Sequence, residues 1–265
     1  MTKKQGNKIL LISYHFPPSS AVGGLRIAGF AKYLPRYGWV PSVLTIKEKY
    51  LQNPDQKRMV GLGHVKITRT RISLSLQDSY LKFKALVYSI FRGKKTSVAD
   101  LNKEYALSPA LAARKSGAWA RFKIFVASML SLPDSERNWI IPASVAAIHE
   151  IRKSNIGFIL TSSPPHSVQL IGLLVKTFTN VKWIADFRDP WMTPQTKKLF
   201  PTSRLSLLIE EWLEHKVVVK ADSVITTTQM LCDKLRESYP LGDPQKFINI
   251  PNGFDPVSYT HLRAH

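Results

Sequence analysis

Residues 8–14 read Lys-Ile-Leu-Leu-Ile-Ser-Tyr and are followed by His15-Phe16-Pro17-Pro18 and then by Gly23-Gly24. An apolar run of this kind is typical of a buried strand in a parallel sheet. A loop that ends in paired glycines at a helix start lets backbone N–H groups approach an anion. The segment therefore predicts a phosphate site, although an ordinary tight turn would use the same glycines.

Similar apolar runs recur along the chain and alternate with helical patterns. We predict helices near residues 24–37, 167–178, 203–220 and 229–239, and strands at residues 8–14, 42–46, 65–70, 156–161, 181–187, 223–228 and 247–250. Alternating strands and helices form right-handed crossovers, which give a parallel sheet covered on both faces. The predicted fold class is therefore α/β, with a doubly wound, mostly parallel Rossmann-like sheet that binds ligands beyond the carboxyl ends of its strands.

The middle of the chain, about residues 73–132, departs from this alternation and predicts a basic and aromatic helical insertion. Residues 80–92 and 119–126 mix aromatic and aliphatic side chains with lysine and arginine. Helices of this composition can lie in a membrane interface with their cations on anionic lipid. They can equally pack on the sheet as a hairpin whose cations are solvated, and the composition alone does not separate the two.

The 265-residue chain carries a formal net charge of +20, and residues 57–123 hold 15 lysines and arginines but three acids. Such an excess favours nucleic acid, anionic lipid or anionic substrates as partners, so a polyanion-binding module is one open interpretation. Because no nucleic-acid recognition motif is present, we expect no nucleic-acid partner. The single cysteine, Cys232, excludes an internal disulfide, and no spacing typical of metal ligands occurs, so we expect no metal.

Three polar segments follow predicted strands and should meet at one edge of the sheet. They are the turn at Gly23 and Gly24, residues 161–166 ending in His166, and residues 186–191 containing Asp186, Arg188 and Asp189. A backbone anion site beside a histidine and a cluster of charged groups is suited to polar group transfer. The alternatives are a capping or core histidine at His166, an internal salt bridge among the charged residues, and a solvent-facing Arg26; they remain open here.

The chain resembles the N-terminal domain of a family-4-type retaining glycosyltransferase of the GT-B fold. The resemblance extends over most of residues 8–255. It rests on residues 8–14 with Pro17-Pro18 and Gly23-Gly24, and on residues 162–167, 183–191, 221–226 and 250–255.

The resemblance implies transfer of a sugar from a nucleotide-sugar donor to an acceptor hydroxyl with retention, in a cleft between two Rossmann-like domains. It implies that Gly23 and Gly24 face the donor diphosphate and that His166 is the catalytic contact to the donor sugar. Acceptor recognition would fall to Arg26, Asp186, Arg188 and Asp189, which would position substrates. No cofactor beyond the donor substrate is expected.

The resemblance also implies a division of the chain. Residues 1–255 would form the acceptor-side domain, and residues 256–265 look like read-through sequence outside the family. We expect a truncated chain that lacks the C-terminal donor-binding domain and is inactive alone, and an inactive fragment that needs a partner domain is a second interpretation. The expected acceptor is a cell-envelope polysaccharide or glycolipid, and the expected location is cytoplasmic, peripheral to the inner face of the cell membrane.

Overall fold

The computed structural model describes residues 7–73, 125, 128–129, 132–191, 203–240 and 243–253. The chain forms two compact units. The first unit comprises Met1–Ile72, Trp139–Trp191 and Glu214–His265, and it contains the sheet; the second comprises Ser73–Asn138 and Met192–Leu213.

Among the residues that the structure describes, the first unit is built on seven parallel strands. In chain order these are β1 Asn7–Ile12, β2 Trp39–Ile46, β3 Lys66–Thr70, β4 Phe158–Ser163, β5 Lys182–Phe187, β6 Ser223–Thr226 and β7 Phe247–Asn249. Their order across the sheet is β3-β2-β1-β4-β5-β6-β7. The chain winds outward from β1 to β3 and then returns to the other side of β1, so the sheet has its switch point between β1 and β4.

Five α-helices are described: α1 Gly23–Tyr33, α2 Ile140–Ser154, α3 Ser167–Phe178, α4 Arg204–Lys220 and α5 Gln229–Ser238. Right-handed crossovers from β1 to β2 and from β4 to β5 run in opposite directions across the sheet, which places α1 and α3 on opposite faces. The predicted doubly wound α/β fold is therefore confirmed. No helix in the described part of the chain is long and apolar enough to cross a bilayer.

Burial explains the apolar runs of the central strands. Leu11 and Ile12 of β1 are both fully buried, although successive side chains of a strand point to opposite faces. Helices cover both faces of β1, so neither face requires polar residues.

Local chemistry shifts several predicted boundaries. Pro35 has no N–H to continue α1, and residues 34–37 form a 3-10 turn that ends at Gly38, where φ is +77°. Strand β2 begins at Trp39, before the predicted start at Ser42, and therefore includes Pro41. Proline is tolerated there because pairing with β3 starts only at Ser42, so Pro41 has a neighbouring strand on one side only. The prediction of residues 24–37 as one helix is wrong in its last turn.

Helix α2 is absent from the sequence prediction. It begins at Ile140, and its third residue is Pro142. Proline is compatible with the first turn of a helix because the N–H groups there have no intrahelical acceptor. The helix packs against α3 and therefore belongs to the layer that covers one face of the sheet.

In the second unit, Ser203 and Ser206 cap the start of α4. The Ser206 amide donates to Ser203 Oγ at 3.1 Å, and the Ser203 amide donates to Ser206 Oγ at 2.8 Å. This reciprocal pair satisfies two N–H groups in the manner of a capping box. The predicted insertion helices at residues 80–92 and 119–126 lie outside the described residues apart from Phe125, and so does the tail at residues 256–265.

Candidate functional site

The candidate site lies at the carboxyl edge of β1, β4 and β5. These three strands are neighbours, with Ile12 in register with Thr161, and Ser162 in register with Asp186. The glycine turn follows β1, the segment ending in His166 follows β4, and the Asp186 segment closes β5. The three predicted segments therefore lie at the ends of adjacent strands, at the switch point where doubly wound sheets bind ligands.

Gly23 and Gly24 each have close neighbours that leave little room for a side chain. A Cβ atom at Gly24 would lie 3.2 Å from the carbonyl oxygen of His15 and 3.3 Å from Cα of Phe16. A Cβ atom at Gly23 would overlap the guanidinium of Arg188. Gly24 thus allows the start of α1 to lie close to the backbone after β1. The contact of the two glycines with a donor diphosphate remains a prediction.

Arg26 of α1 forms a buried ion pair with Asp186. Its Nε donates to Asp186 Oδ2 at 3.0 Å and its Nη2 donates to Oδ1 at 3.1 Å. The side chain of Arg26 is 6% exposed and that of Asp186 is fully buried. Nη1 of Arg26 donates to the carbonyl of Pro251 at 3.1 Å and to Oδ1 of Asn252 at 3.2 Å. Most of the donor capacity of Arg26 is therefore used within the unit, and the open alternative of a solvent-facing Arg26 is wrong.

The environment of Asp186 combines burial with strong partners. Ser162 Oγ donates to Asp186 Oδ2 at 2.7 Å. Burial raises the pKa of Asp186 above its ordinary value, while the Arg26 guanidinium and the Ser162 hydroxyl oppose that rise. The residue joins β5 to α1 and β4, so its geometry fits a role in holding the loops as well as the predicted role in acceptor recognition.

Arg188 holds the glycine turn and the loop after β4 together. Its Nε donates to the carbonyl of Ser163 at 3.1 Å, and its two terminal nitrogens donate to the carbonyls of Gly23 and Pro164. Burial lowers the pKa of Arg188, and the carboxylates of Asp186 and Asp189 oppose that change. Its positive charge lies beside the start of α1. The N-terminus of a helix also attracts anions, so both groups favour an anion at this place.

Asp189 is exposed, in contrast to its neighbours in the segment after β5. Of the four residues predicted to recognise an acceptor, it is the most exposed, because Arg188 is half-buried and the side chains of Arg26 and Asp186 are buried. The predicted internal salt bridge within this segment takes a different form, because Asp186 pairs with Arg26 while Arg188 binds carbonyl groups.

His166 occupies the N-cap position of α3 and its side chain stacks on Trp191. The ring centroids are 4.9 Å apart and the planes differ by 7°. Trp191 is 3% exposed, so it is a fixed support for the half-buried imidazole. Trp191 is not among the predicted site residues, although it lies three residues after Arg188, within residues 183–191 that carry the family resemblance.

A buried polar network lies beneath these loops. Gln169 Nε2 donates to the carbonyl of Asp186 at 2.9 Å and to Ser163 Oγ at 3.0 Å. Thr161 Oγ1 donates to Gln169 Oε1 at 2.6 Å and accepts from Trp183 Nε1 at 2.7 Å. The network ties the first turn of α3, and hence His166, to the ends of β4 and β5. Sequence reasoning missed Gln169, whose only signal is a polar residue on the buried face of an apolar helix.

The described residues contain no group of three or more His, Cys, Asp or Glu side chains placed to hold a metal ion. What they bring together is a glycine turn with a cation beside it, a histidine on an aromatic support and an exposed carboxylate. These groups can hold an anion and orient hydroxyl groups.

No protein-family model and no curated protein matches the chain. Several solved structures are similar to the chain at low identity. UGT2 of Phytolacca americana, in complex with UDP-2-fluoro-glucose and pterostilbene, is 10% identical with a TM-score of 0.46, covering 96% of this chain and 55% of that chain. MurG of Acinetobacter baumannii is 10% identical with a TM-score of 0.41, and the match covers 95% of this chain and 47% of the MurG chain.

The glycosyltransferase SsfS6 of Streptomyces sp. SF2575, in complex with thymidine diphosphate, is 11% identical with a TM-score of 0.39, covering 83% of this chain and 48% of that chain. The chain spans about half the length of these solved chains.

Proposed function

We propose that the chain is the acceptor-binding half of a retaining glycosyltransferase that uses a nucleotide-sugar donor. The observation that carries the proposal is the position of the three motif segments. The glycine turn, the His166 segment and the Asp186 segment follow adjacent strands at the switch point of a parallel sheet. Such an edge is where doubly wound folds bind their ligands, and these segments are also the ones that carry the family resemblance.

The roles follow from the geometry together with that resemblance. The turn at Gly23 and Gly24, with the guanidinium of Arg188 beside it, would face the donor diphosphate. His166, held against Trp191, would contact the donor sugar. Asp189 would accept a hydrogen bond from an acceptor hydroxyl, while Arg26 and Asp186 would hold the loops that carry these groups.

The proposed acceptor is a cell-envelope polysaccharide or glycolipid, and the proposed location is the inner face of the cell membrane. The net charge of +20 supports attraction to an anionic surface. Vesicle sedimentation tests this part: binding should be stronger to anionic than to neutral vesicles and should weaken as salt rises. Tight, salt-sensitive binding to DNA without preference for lipid would favour the polyanion-binding alternative instead.

The activity itself is tested with the chain extended beyond Asp255 by a matching donor-binding domain. Incubation with labelled UDP-, GDP- and TDP-sugars and a membrane extract should give a glycosylated product, whose anomeric configuration by NMR should match that of the donor. His166→Ala should lower kcat/KM by about one to three powers of ten if the imidazole contacts the donor sugar. The matched control is His149→Ala, because His149 is an exposed histidine of α2 and its loss should leave activity unchanged.

Two results would contradict the proposal. One is the absence of transfer from every donor tested. The other is full activity in His166→Ala, which would show that the edge of the sheet at β4 serves the fold and not the reaction.

A further inference from the structure

Two aromatic residues, Tyr14 and His15, follow the end of β1 after Ser13, and neither is among the predicted site residues. Both are half-buried. Their rings meet edge to face, with centroids 5.2 Å apart and planes at 82°. The carbonyl of His15 is the group that lies closest to the place a Gly24 side chain would fill, so the backbone of His15 lies beside the glycine turn.

Buried hydroxyl groups fix the backbone of this pair. Thr45 Oγ1 donates to the carbonyl of Tyr14 at 3.0 Å, and Ser13 Oγ donates to the carbonyl of His15 at 2.8 Å. Thr45 and Ser13 are each 1% exposed. A segment just beyond a strand end is usually free to vary, and here it is bound by side chains on both carbonyls.

The ring of Tyr14 is also supported from the side. Trp139 is fully buried, its Nε1 donates to Thr70 Oγ1 at 2.7 Å, and its ring meets that of Tyr14 at 5.6 Å and 82°. Residues of β2, β3 and the turn before α2 therefore hold one half-buried aromatic corner. A rigid aromatic surface loses little conformational entropy when a ligand binds, and this preorganisation favours affinity.

We infer that Tyr14 and His15 form the surface on which a pyranose ring of the acceptor stacks. The inference rests on the proposed function and names the part of the acceptor that this edge recognises. One face of a pyranose presents C–H groups, which pack on an aromatic face, while its hydroxyls point to polar groups around it.

The experiment uses the chain with isotope-labelled tyrosine and histidine, observed by NMR. The probes are the methyl glycosides of glucose, mannose and galactose, with uracil as a flat aromatic comparison. At least one glycoside should shift the ring signals of Tyr14 and His15 in a saturable way and leave Tyr37 unshifted. Tyr37 is a matched internal control because it is 79% exposed in the same unit.

Substitutions then measure the contribution of each ring. Tyr14→Leu and His15→Ala should each weaken glycoside binding about tenfold, as expected for loss of an aromatic anchor, whereas Tyr37→Leu should not change it. His15→Ala removes a half-buried ring that is not part of the core, so it tests the surface even if Tyr14→Leu fails to fold.

Three outcomes would overturn the inference: glycosides that bind without shifting either ring, glycoside affinity that is unchanged in His15→Ala, or uracil shifting the rings while no glycoside does. The first two leave the proposed glycosyltransferase function intact and remove only this surface. Failure of the proposed function is separate, because it would appear as the absence of sugar transfer in the extended chain.

Discussion

Arg26→Met should destabilise the protein strongly, because it would leave the carboxylate of Asp186 buried without its cation. In the structure three contacts of 3.0–3.3 Å join the two side chains, and Asp186 is fully buried. Breaking a buried pair by removing one partner costs about 3–5 kcal/mol. For a chain of this size that corresponds to a fall in Tm of roughly 6–20 °C. Urea denaturation at pH 7 measures the loss directly.

The pH dependence of that loss identifies its cause. A carboxyl group whose pKa is raised in the folded state favours folding at pH values below its unfolded pKa, and this contribution is lost as pH rises through the folded pKa. Burial raises the pKa of Asp186, and removing Arg26 removes the main opposing charge. The destabilisation of Arg26→Met should therefore shrink as the pH is lowered, since Asp186 can then take up a proton.

Two further variants separate charge from packing. The double variant Arg26→Met with Asp186→Asn should recover more than half of the lost free energy, because no charge is left in the interior. Lys182→Met is the control, since Lys182 is 65% exposed in its pair with Asp222 and should change stability by less than about 1 kcal/mol. The buried-pair account would be refuted if Arg26→Met lost no more free energy of unfolding than this control. It would also be refuted if the loss changed neither with pH nor on addition of Asp186→Asn.

Two other predictions concern stability. Gly172→Ala in α3 should lower the free energy of unfolding by about 1–3 kcal/mol in denaturant unfolding, because a Cβ atom there would overlap the buried indole of Trp183. Gly29→Ala in α1 has nothing within 4 Å of its Cβ position and should be neutral or stabilising. Equal effects at both sites would contradict this packing. Partial burial alone would raise the pKa of Asp222, but hydrogen bonds from Lys176, the Trp183 amide and Lys182 outweigh it and the pKa lies below its ordinary value. That stabilisation is present above the ordinary pKa and is lost as pH falls through the lowered one, so Asp222→Asn should flatten the acid side of a plot of Tm against pH, and an unchanged slope would contradict this account.

The sequence predicted every strand of the sheet and the parallel arrangement, because an apolar run that alternates with helices has few other ways to be buried on both faces. It also placed the glycine turn, His166 and Asp186 on one edge, since the carboxyl ends of parallel strands share that edge. The errors in β2 and α2 involve prolines. Pro41 and Pro142 indicate a break in a local pattern, yet each lies inside an element at a position where the missing N–H costs little.

The partners of the charged groups could not be predicted from the sequence. Arg188 and Asp189 lie two and three residues after Asp186, but the cation that pairs with Asp186 is Arg26, which is 160 positions away. That pairing depends on β1 and β5 lying on either side of β4, a fact of strand order that no local pattern carries. The same holds for the stack of His166 on Trp191.

The sequence by itself determined that this chain folds as a doubly wound α/β sheet and which segments end at its carboxyl edge, because periodicity and burial are properties of short stretches. Only the tertiary structure decided what each polar group there does. It assigned Arg26 to Asp186, Arg188 to backbone carbonyls and Gln169 to the strand ends, and it left Asp189 exposed. The physical reason is that a buried charge or amide must find a partner in space, and the order of the strands determines which side chains are within reach.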